Sequence, residues 1–208
     1  MGSDKKRDMR IKTEAKRLEI LEAAAAEFGE RGYHQTTLAD VARRMNSSKA
    51  TIYNYYRSKE ELLVASLAEK SAPAAGTLLA HLDGDGAFAQ RLKPFARNYV
   101  EMHVSSHSVA IQRLVVAEQI QVRRIVEAIE MAPGPRLWPS VEARFRTAQS
   151  DGALRQGDVA QMAGHLRALL NDLPYRLLLG GQICDTSSDV TASADAAADC
   201  FLAAYGAR

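Results

Sequence analysis

The stretch Asn46–Leu63, NSSKATIYNYYRSKEELL, concentrates side chains able to donate hydrogen bonds. Tyr53, Tyr55 and Tyr56 lie within four residues, although the 208-residue chain has only seven tyrosines. Lys49, Thr51, Asn54 and Lys59 flank them. Lysine can donate to a phosphate or to guanine O6/N7, and asparagine can pair with adenine N6/N7. Tyrosine hydroxyls can donate to phosphate oxygens. Other constellations offer less. His103 and His107 are four apart, a spacing able to grip a metal, but no further His or Cys clusters with them. Two half-exposed histidines are the simpler reading. Cys184 and Cys200 fit no metal spacing and read as reduced, buried or half-buried thiols. No Ser-His-Asp, HExxH, P-loop or GxGxxG pattern is present. Nothing therefore argues for an enzyme, a cofactor or a metal site.

The elements that must carry these residues read as helices throughout. Ala and Leu are abundant and β-branched alternation is nearly absent. Apolar residues make up 47%, enough for a core. No apolar run reaches membrane-helix length, and the polar N-terminus has no signal-peptide pattern, so a cytoplasmic location and no membrane partner are expected. Net charge is +2, with the basic excess in the first 61 residues. Residues 1–12 read as a flexible basic arm. The first helix is expected over Thr13–Arg31, with Gly32 in a left-handed stop position. A second runs from Thr37 to about Met45, with Thr37 and Asp40 as a capping box. Asn46 suits a left-handed turn, and Ser48 caps a short helix beginning at Lys49. Ser58 and Glu61 form another capping box, opening a helix to about Ser71 or on to Leu82. Its N-terminus would offer an anion site. Further helices are expected over 87–105, 108–131, 137–150, 158–179 and 192–205. Pro174 should kink the helix over 158–179 near Leu170–Asp172.

Two short helices joined by about four residues, packed on a longer first one, make a helix-turn-helix. Ile52 and Tyr56 are its best inward pair, which leaves Lys49, Thr51, Tyr53, Asn54 and Tyr55 outward. A polar helical hairpin in some other all-α protein has the same spacing. The segment over 17–63 adds specificity. Its Ile20-Leu21, Phe28, Gly32-Tyr33, Thr36-Thr37 and Val41-Ala42 resemble the DNA-binding domain of the tetracycline-repressor (TetR) family of bacterial transcription regulators. The run from Thr51 through Tyr53, Tyr55-Tyr56 and Ser58-Lys59-Glu60-Glu61-Leu62 resembles it most. Asn46 and Ala50 stand where the family usually has Gly, and Tyr56 where Phe is commoner.

The resemblance implies a recognition helix over Lys49–Tyr55. Thr37, Tyr53 and Lys59 would hold phosphates of a double-stranded operator, and Lys49, Thr51, Asn54 and Tyr55 would read bases. It implies an all-α fold in which 13–57 form the DNA-binding domain. Residues 58–208 would form a helical regulatory and dimerisation domain, with 58–71 as a connecting helix that carries an allosteric shift. "RLVVAEQ" (113–119) resembles a widespread subgroup of such C-terminal domains.

In that larger half, Phe88, Leu92, Phe95, Tyr99 and Met102 form one apolar stripe, and Trp138, Val141 and Phe145 another. Such stripes are usually core. As a candidate effector site they give Phe95, Tyr99, Met102, His103, Glu118 and Trp138. Glu118 sits on an otherwise apolar face and needs a partner. The last two helices are the expected homodimer interface, through Leu166, Leu170, Leu177, Ala194, Ala197, Phe201 and Tyr205. The reading is a dimeric, ligand-responsive regulator, most simply a repressor released by a small, largely apolar ligand. The alternatives are control by a protein partner and, remotely, an all-α enzyme.

Overall fold

The first helix, α1 (Gly2–Gln35), reaches back to Gly2 in the computed structural model. Residues 2–12, read above as an arm, are helical because they lack Pro and are rich in Lys and Arg, which propagate a helix well. The structure describes residues 2–105, 108, 109, 112, 113, 116, 136–180 and 187–207. Glu118, His107, Cys184 and most of the helix expected over 108–131 lie outside them. Among the described residues there is no β-strand, only an isolated bridge between Leu154 and Gly206.

Gly32 interrupts α1 at φ 77° and ψ 164°. The φ is positive as expected, but the ψ is extended, a combination open essentially to Gly alone. Helix α2 (Leu38–Arg44) follows with Thr37 as its cap, then α3 (Lys49–Tyr53) and α4 (Lys59–Ala80). Asn46 takes the left-handed turn at φ 49°. The second half holds α5 (Phe88–Val104), α6 (Leu137–Ser150), α7 (Val159–Leu170), α8 (Asp172–Leu178) and α9 (Ser187–Tyr205). The break between α7 and α8 falls at Asn171 because Pro174 cannot donate to Leu170.

The chain divides into two units, one of Met1–Ser71 with Leu114–Ala132, the other of Ala72–Arg113 with Pro133–Arg208. The first has its own core, in which Ile20, Leu21, Phe28, Val41, Ile52, Tyr56, Leu62 and Leu63 are buried. The second packs α5, α6, α7, α8 and α9 around Phe95, Phe145, Leu166 and Phe201, each wholly inaccessible.

That second core corrects the expected dimer residues. Leu166, Leu170, Leu177, Ala194, Ala197, Phe201 and Tyr205 are all buried inside the chain itself. Arg97 pairs bidentately with Asp195, and Lys93 with Asp199, fixing which side of α9 meets α5. The helical spacing found a genuine apolar face, but it is the inward one. The outward faces carry Ala168, Asp172, Tyr175, Arg176 and Leu179 on and just after α7 and α8, and Ala192, Ala196, Asp199, Cys200 and Ala203 on α9.

Candidate nucleic-acid interface

α3 stands where the turn after α2 and two local caps put it. The Ser47 N–H donates to the Ala42 carbonyl at 2.9 Å, closing the α2–α3 turn. Ser48 then caps α3, its hydroxyl accepting from the Thr51 N–H at 3.1 Å. Ile52 is fully buried and Tyr56 is 6% exposed, so both anchor inward as expected. Burying each such side chain contributes about 1.5–3 kcal/mol. The helix is shorter than expected and stops at Tyr53. The Tyr55 N–H turns to the Ile52 carbonyl three residues back, which tightens the last turn.

With that anchoring, Lys49, Tyr53 and Asn54 are exposed. Tyr53, at 49%, is one of the few large apolar side chains left in solvent among the described residues. The Lys49 ammonium lies 5.5 Å from the Tyr53 ring centroid, so the two share one face. The remaining expected contacts are less free. Tyr55 is half-buried against the core. The Thr51 hydroxyl is 2.9 Å from that of Ser48. The Thr37 hydroxyl donates to Asp40 at 2.6 Å, while the Thr37 N–H donates to the same carboxylate oxygen at 2.9 Å. These bonds, the hydroxyl first, hold the Asp40 carboxyl well below the usual carboxylate range, with Arg43 and Arg31 adding to them. Lys59 is half-buried, its ammonium on Tyr33. The structure thus brings Lys49 and Tyr53 together on one open face and leaves Asn54 exposed just after α3, and it engages Thr37, Thr51, Tyr55 and Lys59 within the fold.

The N-terminus of α4 is capped by Ser58, whose hydroxyl accepts from the Glu61 N–H at 3.0 Å. The Glu61 carboxylate accepts from the Arg57 N–H at 2.7 Å, one residue before the donor a capping box would use. That carboxylate already answers the helix dipole, so the expected anion site there starts with a negative charge in place.

Sequence reasoning missed the ties between helices. Arg17 on α1 reaches Glu69 on α4 at 2.8 Å and also binds Glu14. Burial pushes the Tyr56 phenol's pKa up, and the Arg17 guanidinium acts the other way. Arg44 bridges Glu27 and Glu30 of α1. The Glu14–Arg17 spacing was visible in one helix, but pairs between helices leave no periodic signal.

This three-helix arrangement with an exposed third helix matches known proteins. Residues 20–66 match the family described as bacterial regulatory proteins, tetR family. Residues 90–207, more than half of the chain, match the C-terminal domain of AefR-like transcriptional repressors. The chain belongs to the TetR family. It is a DNA-binding transcription regulator with an N-terminal helix-turn-helix and a helical C-terminal domain. The fatty acid metabolism regulator protein of Bacillus subtilis is 25% identical over 112 residues, 52% of this chain and 54% of that protein. The match thus spans about half of that relative's length. The HTH-type transcriptional regulator BetI of Escherichia coli is 26% identical over 174 residues, 82% of this chain and 86% of that one. A crystal structure of a TetR-family transcriptional regulator from Mesorhizobium loti aligns with TM-score 0.80 at 23% identity, covering 92% of this chain and 97% of that one. That likeness speaks for the fold alone. No helix among the described residues of this TetR-family chain is long and apolar enough to cross a membrane.

Of the expected effector residues, Phe95, Tyr99, Met102, His103 and Trp138 lie in the second unit and partly meet, while Glu118 lies outside the described residues. Phe95 and Tyr99 stack with centroids 6.3 Å apart and are buried core, as is usual for such stripes. Tyr99 also stacks on His103 at 4.1 Å and meets Trp138 edge-on at 5.6 Å. The Asn171 amide donates to the Tyr99 hydroxyl at 3.1 Å, and the Arg167 guanidinium lies 5.8 Å from the Trp138 ring. The His103 Nδ1 is 2.7 Å from the Tyr99 carbonyl oxygen. Burial pushes the His103 pKa down and favours the neutral ring. Met102 is half-buried beside this cluster.

Proposed function

We propose that this regulator is a homodimeric repressor that binds a pseudo-palindromic operator and leaves it when a small, largely apolar effector binds. The observation that carries the DNA side is the open face of α3. Lys49, Tyr53 and Asn54 are presented to solvent while Ile52 and Tyr56 hold the helix down. Lys49 and Asn54 are the base-reading pair, and the Tyr53 hydroxyl serves a phosphate. Thr37, Thr51 and Tyr55 take supporting parts. A dimer places two such helices about 34–36 Å apart on successive major grooves.

The outward sides of α8 and α9 support a dimer face there. Tyr175 and Leu179 are 60% and 69% exposed. An open groove lies between α8 and α9, with Leu169, Arg176, Ala192 and Ala196 among its lining. Small residues on α9 let a second copy approach closely. Replacing Ala196 with Arg is expected to give a monomer in sedimentation at micromolar concentration, with the fold intact by circular dichroism. If that variant still sediments as a dimer, the copies meet on another face.

For the effector, Met102, His103 and Trp138 are the described candidates that are not fully buried, set against Tyr99. A tenfold loss of operator affinity requires about 1.4 kcal/mol of differential effector binding. Helix α4 starts in the first unit and continues past Ser71, which supports a part in transmission. Native mass spectrometry of the purified dimer is expected to show a small-molecule adduct whose removal raises operator affinity. An adduct-free dimer, with operator affinity unmoved by a panel of small apolar compounds, would rule out this control and favour a protein partner.

A further inference from the structure

Lys59 was expected to neutralise a phosphate, yet its ammonium is already placed inside the DNA-binding unit. It donates to the Tyr33 carbonyl oxygen at 2.8 Å and lies 4.0 Å from the centroid of the Tyr33 ring. Both contacts are strong in type: one is a charge-assisted hydrogen bond, the other a cation on an aromatic face. The acceptor side is itself fixed. The Thr36 N–H donates to the same carbonyl at 3.2 Å. The Thr36 hydroxyl, wholly buried, is within bonding distance of the Gly32 and Glu27 carbonyls at 2.7 and 3.1 Å. The Tyr33 ring packs on Phe28 with centroids 5.8 Å apart. The last turn of α1 after Gly32 and the link to Thr37, the cap of α2, are therefore firmly held. Lys59 is the first residue of α4, so the contact joins the start of α4 to the end of α1. α3 lies between those two joined points in sequence.

We propose that Lys59 is a positioning residue, latching the first turn of α4 onto Tyr33 so that α2 and α3 are held at the angle operator recognition needs. The latch acts on specific binding by preorganising the reading face. Its partners there are a neutral carbonyl and a ring, so its role is read from its coupling to Tyr33.

Coupling to Tyr33 separates this role from a phosphate contact, which would act independently of the Tyr33 ring. The probe is a DNA duplex enriched from a random-sequence pool by the wild-type protein, titrated by fluorescence anisotropy at fixed KCl. Lys59→Met and Tyr33→Leu are each expected to weaken binding about tenfold. The double variant should be no weaker than either single one. Tyr33→Phe, which keeps ring and carbonyl, should bind like the wild type. Binding of Tyr33→Leu to an unselected duplex should change less than twofold. The proposal is overturned by losses that multiply in the double variant, or by unchanged affinity of Lys59→Met. If Tyr33→Leu does not fold, hydrogen exchange of the α3 amides in free Lys59→Met decides: faster exchange than in the wild type supports the latch, and unchanged exchange overturns it.

Discussion

Phe201→Ala is expected to cost about 3–5 kcal/mol of stability and to lower the thermal midpoint by roughly 10 °C or more. Phe201 is wholly inaccessible and sits between two other aromatic rings. Its centroid is 5.2 Å from Phe145 and 5.1 Å from Tyr205, and Phe145 meets Phe88 edge-on at 5.8 Å. Removing the ring empties the point where α5, α6 and α9 converge. The ion pairs that align α9 on α5 are exposed and offset little of such a loss. The cavity term adds to the transfer term because the neighbouring rings are held by their own helices. Calorimetry of the full-length variant checks this. A shift of only a degree or two would mean that α9 closes the gap by moving, and that Phe201 is not the pivot of this core.

Lys49→Glu is expected to lower affinity for the selected duplex at least about a hundredfold, with the thermal midpoint nearly unchanged. Lys49 is exposed and opens α3. A good base-edge contact discriminates by about 1–3 kcal/mol. A carboxylate there removes that contact and repels the phosphates, and in the proposed dimer the change acts at both half-sites. About 3 kcal/mol in total already corresponds to the hundredfold loss. The same substitution suits the fold, because a negative charge near a helix N-terminus is favourable. Loss of binding with a retained melting curve therefore separates readout from folding. If affinity falls less than about fivefold, another side chain carries the recognition.

Much of the DNA-binding unit was legible because its determinants are local. Ser48, Asn46 and Thr37 with Asp40 each declare a cap or a turn within four residues. Ile52 and Tyr56 declare an inward face by spacing alone, and Pro174 declared the α7–α8 break. What failed depends on partners distant in sequence. The outward or inward choice for Phe201 and Leu166 turns on what covers them, and both faces of α9 carry alanines at helical spacing. Lys59 looked like a free cation because Tyr33, 26 residues away, leaves no mark on its own helix. Tyr53 and Tyr55 looked alike, yet only Tyr53 is open, because the chain tightens after Ile52. Residues 2–12 read as an arm for want of caps and apolar periodicity, although their composition permits the helix that forms. Glu118, singled out as a carboxylate on an apolar face, lies outside the described residues.

Recognition by the α3 face is tested most directly by selection of bound duplexes from a random pool with wild-type protein and with Asn54→Ala, followed by sequencing. The wild type is expected to enrich a pseudo-palindrome with half-sites one helical turn apart. Asn54→Ala is expected still to bind that duplex but to lose preference for adenine at one position of each half-site. No enriched motif with the wild type, or the same motif with undiminished preference in the variant, would contradict the reading of a specific sequence by this face as a symmetric pair.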